Sequence, residues 1–193
     1  MISEVDHYVG EILDTLEKNH MMENTIIVFT SDHGEFLGEY LRYFKGYPGP
    51  DVITRVPLIF YVPAALGGIA GKTVSNVVES VDVVPTLLKL LHIPIYPDLM
   101  GDALPVAEGI ELSGDGLGYS EDGRNFKTLR SQNYRYTINA DGKEEFYDLR
   151  SDPFQYHNLM GNPVYQEQIA EHKKLLLQRV IRTEFAIPRD YVY

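Results

Sequence analysis

Two short runs limit what this chain can fold into. Residues 25–30 read TIIVFT and residues 56–62 read VPLIFYV. Both are of strand length, rich in β-branched and aromatic residues, and neither alternates with polar positions. A strand of that kind has no face meant for water, so each predicts burial on both sides, as in a parallel sheet clad by helices. Helical patterns flank them. In residues 2–18, Ile2, Val5, Val9, Ile12, Leu13 and Leu16 recur at helical spacing, with Glu4, Glu11, Asp14 and Lys18 between them. Pro85 suits the first turn of a short helix continued by Thr86 to Leu91. Asn76–Val81 is predicted as a short third strand.

The pattern then changes. Residues 94–118 hold Pro94, Pro97, Pro105 and several glycines, which predicts a long irregular connection. Residues 117–149 alternate apolar and polar side chains, and Asp141-Gly142 between two such runs predicts a hairpin. The segment DPFQYHNL reads as a turn, and Val164 to Arg182 as a closing amphipathic helix. The predicted fold class is α/β. A partial parallel sheet with helices spans 1–110, and a small antiparallel sheet with a carboxy-terminal helix spans 111–193.

Composition removes several function classes. Apolar residues make up 44%, enough for a core, so a disordered chain is excluded. Lys and Arg number 17 against 28 Asp and Glu, a net charge of −11, which argues against nucleic acid and anionic membrane surfaces as partners. There is no cysteine, so thiol nucleophiles, thiolate metal sites and disulfides are excluded, and the redox compartment is unreadable. The longest apolar stretch, residues 56–66, holds two prolines and is too short to span a bilayer. No basic and apolar leader opens the sequence. Either the protein stays inside the cell or Met1 is not the natural start, so localisation stays open.

Chemistry concentrates after the first strand, in Ser31-Asp32-His33-Gly34-Glu35. Ligand sites of open α/β sheets lie at the carboxyl ends of strands. An adjacent carboxylate and imidazole there can both reach one divalent cation. Taken alone the triplet is more often a strand-end Asp capping a loop beside a surface His. Lys45 follows twelve residues after His33 and could hold a tetrahedral anion, although a lone loop lysine is more often simply solvated. The first fifty residues hold nine acids against three bases, so an anionic substrate would depend on those few bases and a metal.

In order, the chain presents VDHYVGEIL, TIIVFTSDHGEFLGE, Lys45, RVPLIFYVP, VESVDVVPTLLKLLHI, FKTLRSQNYRYTI and EEFYDLRSDPFQYHNL. This series resembles the carboxy-terminal half of the sulfatase family, within the alkaline-phosphatase-like superfamily, over about residues 2–182. The Asp-His pair places the likeness nearest iduronate-sulfatase-like and choline-sulfatase-like members. The resemblance implies that Asp32 and His33 ligate a divalent metal, calcium by family usage with magnesium or manganese as alternatives. It implies that Lys45 is catalytic, contacting the substrate sulfate and the leaving oxygen. Tyr40 stands where the family often carries a histidine, at a substrate contact. Asp82, Pro85 and Thr86, and the group Tyr147, Asp148, Asp152, Pro153 and Asn158, match segments read as structural, with Asp82 expected to cap the helix near Pro85.

Two family features are missing. The formylglycine nucleophile arises from a Cys or Ser in a CxPSR-type motif, and neither that motif nor the family's early Asp-Asp pair occurs here. The expectation is therefore the carboxy-terminal portion of a metal-dependent sulfatase, a sulfuric ester hydrolase, inactive by itself and binding calcium or magnesium weakly or not at all. Its expected partners are a sulfate ester in the intact enzyme, and a second copy or a complementing amino-terminal half. The alternatives are a phosphodiesterase or phosphonate monoester hydrolase of the same superfamily, or a non-catalytic interaction fragment.

Overall fold

The computed structural model describes residues 1–47, 49–123 and 125–183. The first predicted helix forms as α1, Ile2–Lys18. The two apolar runs form β1, Ile27–Thr30, and β2, Leu58–Tyr61. They pair with each other and antiparallel, Phe29 opposite Ile59 and Ile27 opposite Tyr61, which corrects the parallel sheet expected from their composition. Among the described residues no parallel pairing occurs. The connection explains the direction. Between Thr30 and Leu58 the described residues build a 3-10 turn at Glu39–Leu41 and the four-residue helix α2, Asp51–Thr54, whereas a parallel return needs a full crossover.

Cover on both faces is also not met. Phe29 is 38% exposed and Ile59 is 60% exposed, on one face of the β1–β2 ribbon. Residues 76–81 form no strand; a 3-10 turn at Ser80–Asp82 leads into α3, Val83–Leu90. Asp82 takes helical dihedrals, so its carboxylate turns back to accept from the amides of Glu79 at 2.7 Å and Asp102 at 2.9 Å. It therefore staples the irregular connection to the turn before α3 rather than capping α3, and the Thr86 hydroxyl does similar work on the amide of Leu104 at 2.9 Å.

The antiparallel sheet forms as expected. Its strands are β3, Gly118–Asp122, β4, Phe126–Arg130, β5, Tyr134–Asn139, and β6, Glu144–Asp148, paired in that order. Gly142 takes a left-handed φ of 79° in the β5–β6 turn, which glycine adopts without a side-chain clash. The closing helix is α4, Gln166–Thr183, preceded by a 3-10 turn at Pro163–Tyr165 that the Asn162 side chain caps.

The register explains the main core. Tyr119, Leu129, Tyr136 and Phe146 stand opposite one another across all four strands, so they share one face. That face packs on Ile169, His172 and Leu176, which fall on one side of α4. The other face carries Thr128, Arg135, Thr137 and Glu145, and the first three are buried although polar. The loop between β1 and α2 covers it, through Tyr47 on the Phe126 ring and Gly49 against Arg135. Among the described residues no helix is long and apolar enough to cross a membrane.

Candidate active site

Three of the residues singled out in the sequence, Asp32, His33 and Lys45, come together. Asp32 and His33 follow directly on β1, and Lys45 returns to them from the far side of a loop. The Lys45 ammonium Nζ lies 2.8 Å from His33 Nε2, and Asp32 Oδ2 lies 3.4 Å from the same nitrogen. The other ring nitrogen, Nδ1, sits 2.8 Å from the Gly34 carbonyl oxygen. A carbonyl only accepts, so Nδ1 carries the proton and Nε2 presents a lone pair toward Asp32 and Lys45. This is the tautomer a metal ligand needs, with its second nitrogen held by the backbone.

Asp32 is shaped for the same role. Its side chain is 81% exposed, and Oδ1 accepts the His33 amide at 2.9 Å. That hydrogen bond holds the carboxyl below the ordinary carboxylate range, so it is ionised at neutral pH. Oδ2 remains directed at the imidazole. A carboxylate oxygen and a neutral imidazole nitrogen suit a divalent ion as two members of a ligand set. Among the described residues no cluster of three or more His, Asp or Glu side chains is placed to hold an ion.

Glycine follows His33 for a steric reason. The Gly34 amide donates to the Ile53 carbonyl at 2.7 Å, and a Cβ there would meet the Val52 carbonyl oxygen at 1.9 Å. The start of α2 thus packs on the site backbone. Tyr40 lies farther along the loop at φ 55°, its hydroxyl donating to the Phe154 carbonyl and its ring against Phe36 and Tyr156. The structure does not bring Tyr40 into the Asp32, His33 and Lys45 cluster by any hydrogen bond among the described residues. Sequence reasoning missed Tyr47, Gly49, Arg135 and Glu145, which carry the underside of the loop. Alternation along β5 and β6 marks Arg135 and Glu145 as one polar face, but it does not say what covers that face.

Comparison with known proteins gives this geometry its context. The Sulfatase family model matches residues 1–93, which include all three clustered side chains. An arylsulfatase of Clostridium perfringens is 31% identical over 186 residues, covering 93% of this chain. The chain belongs to the sulfatase family.

It spans 38% of that arylsulfatase, so the matched region is about two fifths of the relative's length. Solved structures agree. One is of a protein in complex with its substrate D-glucosamine-2-N,6-O-disulfate, at TM-score 0.82 and 29% identity, covering 94% of this chain and 39% of the other. Another is a phosphonate monoester hydrolase of Agrobacterium radiobacter, at TM-score 0.81 and 29% identity, covering 94% and 40%. The sulfatase fold therefore extends across both the β1–β2 region and the four-stranded sheet with α4. The segment 147–158 plays the structural part expected of it. Asn158 Oδ1 accepts from the amides of Phe146 and Met160, and Asp152 accepts from the His157 amide.

Proposed function

We propose that this chain supplies one wall of a sulfatase active site. Asp32 and His33 ligate a divalent metal, calcium by family usage, and Lys45 contacts the sulfate group and the departing oxygen of a sulfate ester. The observation that carries this reading is the convergence of the Lys45 ammonium and the Asp32 carboxylate on the unprotonated His33 Nε2. When bound, the metal supplies Lewis-acid polarisation of the sulfate. Asp32 offers a full negative charge, and His33 offers a nitrogen whose tautomer is set by Gly34. Lys45 brings a positive charge to where negative charge grows as the ester bond breaks. Tyr40 is proposed at the edge of the substrate pocket, offering its ring, since its hydroxyl is engaged by Phe154.

No formylglycine precursor motif lies in these 193 residues. The nucleophile and further metal ligands are therefore assigned to a complementing amino-terminal portion of the fold, and hydrolysis is expected only when both are present. A second reading rests on the phosphonate monoester hydrolase, whose TM-score of 0.81 stands beside the 0.82 of the disulfate-bound neighbour. It keeps the roles of Asp32, His33 and Lys45 and changes the tetrahedral group that they hold.

Manganese titration followed by NMR tests the assignment. With two ligands in hand, affinity is expected at or weaker than about 10⁻⁴ M. Millimolar Mn²⁺ should broaden the Asp32 and His33 resonances before others, and Asp32→Asn should abolish that selectivity. Broadening centred on other carboxylates, with Asp32 and His33 unaffected, overturns the metal assignment.

A further inference from the structure

Lys45 follows a turn closed by the Gly38 amide on the Arg42 carbonyl at 2.9 Å and the Phe36 amide on the Phe44 carbonyl at 3.2 Å. Its neighbours Phe44 and Gly46 take φ of 68° and 111°, so the backbone turns through the left-handed region on both sides of it. A phenylalanine in that region is strained and holds it only where surrounding contacts do so. The Phe44 carbonyl is held by the Phe36 amide, and just beyond Lys45 the loop meets the distant antiparallel sheet through Tyr47. We propose that Arg135 on β5 and Glu145 on β6 are positioning residues for Lys45, a reading that rests on Lys45 belonging to the active site.

The geometry forms a clamp. The Tyr47 hydroxyl donates to Glu145 Oε2, and the same oxygen takes Arg135 Nη2 at 3.4 Å. Arg135 is 1% exposed, its guanidinium 4.4 Å from the Tyr147 ring centroid and its Nη1 donating to Thr137 Oγ1 at 3.1 Å. Held on three sides, it cannot drift, so it fixes the carboxylate that Tyr47 reaches. Burial and the bond to Glu145 push the Tyr47 hydroxyl far above its ordinary range, which keeps it a donor at any working pH. Gly49 lies so close that a Cβ would stand 2.1 Å from Arg135 Nη1. From above, Arg42 stacks on the other part of the grip, 4.9 Å from the Tyr47 ring centroid. Lys45 lies between Arg42 and Tyr47 in sequence, so these contacts set where its ammonium can reach.

This link explains why a polar sheet face is buried. A buried ion pair is poor at stabilising a fold relative to apolar packing, but it fixes direction and register. Here it specifies the height and direction of the loop over the sheet.

The test uses the intact chain and reads the Lys45 and His33 juxtaposition directly. With nitrogens 2.8 Å apart, Lys45 Hε and the His33 ring protons should give a strong NOE in the wild type. Tyr47→Phe and Glu145→Ala should lose that NOE while the dispersion of α4 resonances and the cooperative unfolding transition persist. Glu145→Gln, which still offers an oxygen to Tyr47, should keep it. Arg135→Met should behave like Glu145→Ala; if it fails to fold, the other variants decide. An undiminished NOE in folded Tyr47→Phe and Glu145→Ala overturns the proposal. Manganese broadening at His33 in the same samples reports on the metal assignment separately. Broadening centred on other carboxylates with the NOE pattern intact rejects the metal and leaves the clamp standing.

Discussion

At His33, one proton decides the chemistry. With Nδ1–H given to the Gly34 carbonyl, Nε2 is left as the only free lone pair on the ring, and it faces the Asp32 carboxylate and the Lys45 ammonium. The residue that makes this work is Gly34. Its φ is not in the left-handed region, so glycine is needed for space and not for conformation. Gly34→Ala should push the Val52 carbonyl away and tilt the His33 backbone with it. A loss of about 1–3 kcal/mol is expected, the usual range for overpacking. Urea denaturation should show a lower midpoint with unchanged slope, and a midpoint equal to wild type would mean that the α2 turn yields freely.

Among the elements, α4 depends on a buried histidine. His172 Nδ1 donates to the Gln168 carbonyl at 2.7 Å, and Nε2 accepts the Ser131 hydroxyl at 2.9 Å, with Tyr134 and Phe146 against the ring. Burial lowers its pKa from the ordinary 6.5. The unfolded chain then binds a proton in a range where the folded chain does not, so stability falls as pH drops through the unfolded value toward the lower folded one. Below that window this contribution levels off. Thermal unfolding should therefore show a falling Tm between about pH 7 and 5, and His172→Gln, which keeps a hydrogen-bonding side chain, should flatten that segment. A slope identical in both proteins would place the pH dependence elsewhere.

Across the whole molecule, apolar surface is unevenly covered. Among the described residues α1 buries none of its side chains; Ile2, Val5, Tyr8 and Ile12 are all exposed, Ile12 by 62%. The ribbon face with Phe29, Ile59 and Tyr61 is also bare. An amphipathic helix without a partner face, beside a sheet with open edges, is a surface that associates. Sedimentation at micromolar concentration is expected to show mass above the 22.0 kDa of one chain, with binding of an apolar dye. Ile12→Glu should reduce both while leaving helical circular dichroism in place. A monomer free of dye would mean that this face is closed in solution.

Local order was written plainly along the chain. The 3.6-residue spacing in 2–18 encodes α1, the alternation of 117–149 encodes the four strands β3 to β6, and Asp141-Gly142 the turn between the last two, and all of these formed. The sequence alone also named Asp32, His33 and Lys45, because they lie close to β1 and match a family series, and the structure brings the three together. Strand direction was not legible. TIIVFT and VPLIFYV say that both faces tolerate apolar cover, but direction depends on how the chain between them returns, and that is set by α2 and the loop packing. Nor could alternation reveal that Thr128, Arg135 and Thr137 face a loop instead of water. A polar face reads the same in sequence whichever it meets, and only the tertiary fold, placing Tyr47 on Glu145 across 98 positions of chain, decides it.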